Sequence, residues 1–357
     1  MENSLISETY SHSTQLAIFL GVLVFFSSCA SVFLILRYTT KWMSDYRIFL
    51  LNISITTTLS DFNAIVISRP ISLFPVKGLC AIGVFNGFLV DIFGVDRTFI
   101  ILTIVQLYLT MISISALTLA CFHRYISVAR TFRPLSSALN SKFTYLVLFT
   151  CQFVLPLLES IPLFGIDLRP PKIMAYNEKM HPEIVERSRQ HPCFFPSNDP
   201  DEEFWQNLST LPLTLHLLAC AVVCFSLLVF CLRKITQSQL ENVITKRTKQ
   251  MHKNLLVGLS IQTFVPNFLY VIMYVLNSTS LKIENNTLSS VMSMVAICIA
   301  SLHSAFNLCI MFSIPAYRKG LVNDIRYFCP FTKKTRSSSQ VITTTSFHPV
   351  FSRIMNN

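Results

Sequence analysis

"FIILTIVQLYLTMISISALTLACFHRYISVAR" runs from Phe99 to Arg130. Its first 24 residues, Phe99 to Phe122, contain no charged side chain; His123, Arg124, Tyr125 and Arg130 then arrive together. At about 1.5 Å rise per residue, an uncharged run of this length reads as a helix crossing hydrocarbon about 30 Å thick. Basic residues directly after such a run mark its cytoplasmic end. Arg130 and Arg133 fit that reading as topology charges. Arg124 sits at the very end of the helix, where its guanidinium can instead face the interior of a bundle.

The rest of the chain agrees with a membrane protein. Hydrophobic residues make up 52% of it, and 30 residues are Phe. Charged residues make up 13%, against about 25% in an ordinary soluble domain. Seven apolar runs have spanning length: Leu16–Leu36, Ile48–Leu73, Phe99–Phe122, Phe143–Phe164, Leu208–Leu232, Leu255–Leu276 and Leu288–Phe312. Arg69 is expected to reach the outer face from the end of the second. The stretch Gly78–Gly94 is apolar but short and Gly-rich, and carries Asp91. It reads as a loop folded onto the outer face or as an early start of the third helix.

With the N-terminus outside, 20 of the 29 Lys and Arg residues face inward and 13 of the 18 acids face outward. This satisfies the positive-inside rule. The first segment has Glu2 and Glu8 and no basic residue before its span, which reads as an uncleaved anchor rather than a signal peptide. The net charge of +11 is therefore a cytoplasmic surface facing anionic lipid, not a nucleic-acid signature. The expected fold is an all-α, polytopic bundle of seven transmembrane helices. It divides into an extracellular N-terminus (1–15), a helical domain (16–331) and a polar, Ser/Thr-rich disordered tail (332–357).

Of 11 cysteines, only Cys80 and Cys193 fall in outer segments, where they read as a disulfide or, for Cys80, as a small buried apolar residue. Sequons at Asn207, Asn277 and Asn285 lie in or beside outer loops, close to the membrane; a fourth, at Asn52, falls inside a span.

No Walker loop, G-x-S-x-G, H-E-x-x-H or paired CxxC is present, so the chain reads as no enzyme, with no cofactor and no metal. The informative residues are polar ones within spans. Asp61 reads as an interior polar or ion site or as a hydrogen-bonded structural carboxyl, with Asn307 as candidate partner. Asn52 faces the other way. Glu159 reads as a snorkelling or packing residue, or as a ligand contact. Gln262 and Pro266 share the sixth span, where proline kinks the helix as a hinge or a static bend. His303 and Asn307 lie one turn apart and suit interhelical hydrogen bonds. After the last span, Leu321, Ile325 and Phe328 make one apolar stripe among basic residues, a short amphipathic helix on the inner leaflet. Cys329 follows it as a palmitoylation candidate or a plain thiol.

The order of "PISLFPVKGLCAIGV" (70–84), "CFHRY" (121–125), "HPCFFP" (191–196), "IQTFVP" (261–266) and "SLHSAFN" to "PAYRKGL" (301–321) resembles the nematode serpentine chemoreceptors of the Str superfamily, in the Srh/Sri branch and nearest Sri. The resemblance covers the chain to about Phe331. It implies a plasma-membrane G-protein-coupled receptor of sensory-neuron cilia. Such a receptor takes a small odorant- or pheromone-like ligand from outside and a heterotrimeric G protein inside, at Arg124, Tyr125, His123, Tyr317 and Arg318. A ligand-gated channel or a transporter of seven-span type is the alternative. Two departures from rhodopsin-like receptors stand out. His123 occupies the position of their acid, and Pro315-Ala-Tyr317 stands where they carry Asn-Pro-x-x-Tyr.

Overall fold

The computed structural model describes residues 2–39, 44–73, 78–132, 142–195 apart from 166, 170 and 190, 200–240 and 314–328, with isolated positions between 257 and 312. Five described helices are long and apolar enough to cross a membrane, over Thr14–Tyr38, Tyr46–Ser68, Val95–Ser127, Phe143–Gly165 and Thr214–Arg233. They correspond to the first five predicted spans. The isolated positions within the sixth and seventh are helical, including Ser304 and Asn307. Gln262, Pro266, His303, Asn277, Asn285 and Cys329 lie outside the described residues.

The first helix, α1 (Glu2–Tyr38), packs on α2 (Ser44–Phe62). The spanning part of α2 ends in a wider turn, Asn63–Ser68, in which the Arg69 amide reaches back to the Ala64 carbonyl at 3.1 Å. Here the structure corrects the sequence reading, which carried the second span to Leu73. Pro70 has no N–H to donate and pushes its predecessor out of the right-handed helical region. Arg69 takes a left-handed conformation (φ 36°), and Pro70–Leu73 becomes a strand, β1. Arg69 itself is buried and donates to Thr14 Oγ1 of α1 at 2.9 Å, rather than standing out on the surface.

The awkward apolar stretch resolves into three pieces. Gly78–Ala81 is β2, antiparallel to β1; Asn86–Phe93 is a short helix, α3; and the third spanning helix, α4, starts at Val95 and runs to Phe132. Gly83 is required where the chain leaves β2. A Cβ there would fall 1.6 Å from the Ile67 carbonyl oxygen, so only glycine lets the backbone lie this close to the end of α2.

The fourth span is α5 (Lys142–Glu159) with a short 3-10 turn, Ile161–Gly165. The second loop on this face holds α6 (Pro171–Met180), α7 (Pro182–Arg189) and β3 (Cys193–Phe194). β3 completes a sheet of order β1-β2-β3, with Cys80 opposite Cys193 and the two joined by a disulfide. Arg169 ties the loop down. Its guanidinium donates to the Ser188 and His191 carbonyls at 3.1 Å each and pairs with Asp96 of α4 at 2.8 Å. The fifth span lies within α8 (Pro200–Leu240), which includes Asn207. That sequon is therefore on a helix rather than on the open loop that glycan acceptors favour.

The amphipathic helix after the seventh span is α9 (Pro315–Phe328). The main core joins Leu34 and Ile35 of α1, Phe49 and Ile53 of α2, Leu117 and Cys121 of α4, Cys224 and Leu228 of α8, and Tyr317 of α9. Large side chains on the opposite faces of the spans stand exposed, as a lipid-facing surface requires.

Replacing Cys193 by Ser frees a loop closed across 113 residues. Cross-links of this kind stabilise by about 2–5 kcal/mol. The Cys193→Ser receptor should melt earlier in detergent, and the Cys80→Ser/Cys193→Ser double variant should melt no earlier than either single one.

Candidate functional site

The polar residues of the spans form seams between helices, and most of them involve α4. Toward α2, Thr57 meets Ser113 at 3.0 Å, Ser60 meets Thr110 at 3.3 Å, and Asn63 donates to Gln106 at 2.7 Å. The antiparallel spacing of three or four residues on each helix keeps these pairs on one facing stripe. Asp61 stands beside this seam, buried. The Ser304 backbone N–H and hydroxyl both donate to its Oδ2, at 2.8 and 2.6 Å. Asp61 thus joins α2 to the seventh span, as the sequence suggested. These donors, however, belong to Ser304, one turn before the buried Asn307. Asn52 faces away from Asp61 and exchanges hydrogen bonds with Gln152 of α5, at 2.9 and 3.3 Å.

On the other side of α4, Ser115 Oγ lies 2.9 Å from His216 Nε2 of α8, and His216 Nδ1 lies 3.0–3.1 Å from the Glu159 carboxylate of α5. Glu159 is therefore a packing residue, tied to α8. Sequence reading missed His216, because one histidine in an apolar helix carries no local signature; its only signal was the acid on a neighbouring span. The order Ser–His–Glu is that of a nucleophilic triad. The chemistry does not follow, because Ser115 is inside a continuous helix whose amides are spent on the helix ladder, leaving no backbone donors for an oxyanion. The arrangement fastens three helices and gives the interior a group that can both donate and accept protons. Among the described residues no group of three His, Cys, Asp or Glu side chains is placed to hold a metal.

At the far end of α4, His123, Arg124 and Tyr125 point in different directions. The His123 ring stacks on Phe49 (centroids 4.2 Å apart, planes 18° apart) and its Nδ1 lies 3.0 Å from the Tyr145 hydroxyl. Tyr125 meets Phe230 of α8 edge-on at 4.9 Å. Arg124 is buried between them, within electrostatic reach of Tyr46 on α2 and Cys231 on α8.

The same end carries α9. Tyr317 is fully buried, its hydroxyl 3.2 Å from Thr39 Oγ1, whereas Arg318 is exposed. Asp324 Oδ2 accepts from the Tyr38 hydroxyl at 2.8 Å and from Arg37 Nε at 2.7 Å. These bonds, the Tyr38 one foremost, hold the Asp324 carboxyl below the ordinary carboxylate range. The disulfide and the Arg124–α9 region therefore mark opposite ends of the bundle.

The model of the serpentine-type 7TM GPCR chemoreceptor family Sri matches residues 9–321. The chain belongs to that family. No curated protein sequence matches it significantly. Among solved structures, this Sri receptor is similar to squid rhodopsin, with a TM-score of 0.51 at 11% identity over 91% of this chain and 88% of that one. The likeness establishes the fold, a seven-helix membrane bundle. The family is one of receptors rather than enzymes.

His216→Ala removes bonds to two helices and strands Glu159. The expected loss is roughly 1–2 kcal/mol, read as a lower melting temperature, with Ser115→Ala losing less. Asp324→Asn should raise hydrogen exchange in α9. In the unsubstituted chain the carboxylate's contribution is full above about pH 4 and is lost as pH falls through the depressed native value. Exchange in α9 that is insensitive to both changes removes Asp324 as the clamp.

Proposed function

We propose that this Sri receptor lies in the plasma membrane of sensory cilia with its N-terminus and disulfide outside. It takes a small odorant- or pheromone-like molecule among the outer halves of the helices, beneath the loop that carries α6 and α7. It passes the signal to a heterotrimeric G protein through Arg124. The observation that carries the reading is the placement of Arg124, a buried cation at the end of the third span on the face opposite the disulfide. A charge is expensive there and is kept where it works.

A disulfide belongs on the non-cytosolic side, and the basic loops belong on the other. Both support this orientation, in which Arg124 lies toward the inner surface. Ligand and G protein would each favour one packing of the bundle over another, and binding shifts the population between them. The polar seams of α4 are the contacts such a shift rearranges. Exposed Arg318 adds positive charge at this end of the bundle, and the sequence between the fifth and sixth spans is basic. Tyr317 contributes from within, by seating α9 against α1. Where rhodopsin-like receptors set an acid beside this arginine, His123 instead stacks on Phe49.

Cells expressing the receptor are screened with odorants and secreted small molecules, with calcium or cAMP as readout. Arg124→Ala should abolish the response at unchanged surface expression; a full response sinks the mechanism. His123→Phe keeps the stack and should signal normally, whereas His123→Asp places a charge among aromatic rings and should reduce surface expression. An N-terminal epitope tag should label without permeabilisation.

A further inference from the structure

The short helix α3 has two unlike sides. One side holds Asn86, buried, and Leu89, which packs against the cluster of Ala81, Phe99, Leu102 and Leu168. The side about 90° round from it presents Phe85, Phe88 and Ile92, which fall within about 60° of one another at 100° per residue, and the turn leading into the helix adds Val84. Val84 is 75% exposed, Phe88 64% and Ile92 55%. A contiguous face of large apolar side chains is not left in water without a partner.

What covers it follows from where it stands. Gly94, at φ 81°, turns the chain at the end of α3, and the third membrane span begins at the next residue, Val95. The helix therefore lies level with the end of a span, at the boundary of the hydrocarbon. Its exposed side chains match in kind and degree those that the spans turn to lipid, such as Phe26 at 66% and Phe143 at 71%. Residues 78–94 contain no Lys or Arg and only one acid, Asp91, which lies about 60° from Phe88 at the edge of the face, on the side away from Ile92, so the Phe88 and Ile92 side is suited to insertion rather than to binding a charged surface. Through Leu89 it rests on the cluster that includes Ala81, the residue after disulfide-bonded Cys80.

We propose that α3 is an interfacial anchor: its Val84, Phe85, Phe88 and Ile92 face enters the acyl region of the leaflet on the disulfide side. The partner is the lipid surface itself. Interfacial helices bury their apolar face about 5–10 Å below the headgroups, a depth these four side chains would share. The anchor ties that leaflet to the hairpin β1–β2 and to the first turn of α4. It requires neither a particular ligand nor a particular G protein.

The test uses the full chain with Trp42→Phe and Trp205→Phe, and tryptophan placed at one site at a time, in phosphatidylcholine nanodiscs holding one receptor each. Phe88→Trp and Ile92→Trp report the proposed face. Gly87→Trp reports its flank, where a side chain meets nothing within 4 Å. Bromine on the upper acyl carbons should quench the indole at positions 88 and 92 by about two-fold or more, with deep bromine and aqueous iodide several-fold weaker. Position 87 should show the reverse preference. Iodide quenching of position 88 as free as at 87, with no effect of brominated lipid, overturns the anchor. So does protection of position 88 that arises only in discs carrying two receptors, which would assign the face to a second copy. If Phe88→Trp fails to form the disulfide, Ile92→Trp reads the same face alone.

Discussion

Inside hydrocarbon an amide has no partner but its own chain. That constraint shapes every described segment of this receptor. It makes the five described spans helical from end to end, and it dictates what happens where a helix must stop. At Arg69 the ladder widens, and Pro70 closes it. The strand that follows hands its backbone groups to β2, and β2 hands its own to β3. The sheet is thus the continuation of the second span by other means, and the disulfide locks it across the register pair that also joins the two loops.

Once the backbone is satisfied, side chains decide how the helices sit against one another. Lipid tails are as apolar as Leu or Phe, so apolar burial gives little preference for one helix pairing over another. The preference here comes from polar pairs, and α4 holds most of them. It meets α2 through Thr57–Ser113, Ser60–Thr110 and Asn63–Gln106, and meets α8 through Ser115–His216 and Thr118–Cys224. On α4 these pairs fall at Gln106, Thr110, Ser113, Ser115 and Thr118, in the stretch before Arg124. Each pair is individually weak, and together they set the register of α4 against its neighbours.

The five described spans were legible because hydropathy over about 20 residues is a strong signal. The end of the second was not. "PISL" is as apolar as what precedes it, and only the proline marked the change from helix to strand. Gly78–Gly94 defeated a window-based reading for the same reason: strand, short helix and bend are all apolar there. The cysteine pair was legible from topology, since only two thiols fell outside. Asp61 was legible as an interior residue, but its Ser304 donor was not, because a serine in a span attracts no notice until a carboxylate is placed against it. Arg124 could be placed at the helix end. The burial of its neighbour His123 against Phe49 and Tyr145 depends on which way two other helices face, which no local pattern encodes.

The loop on the disulfide face is fastened near both of its ends. Arg169, at its start, pairs with Asp96 at the head of α4, and Cys193, at its close, is bonded to Cys80 in β2. The same guanidinium holds the Ser188 and His191 carbonyls, so the stretch between is folded back on its own beginning. α6 and α7 therefore ride on a tethered ring rather than on a free strand, and the cross-link sets the size of that ring.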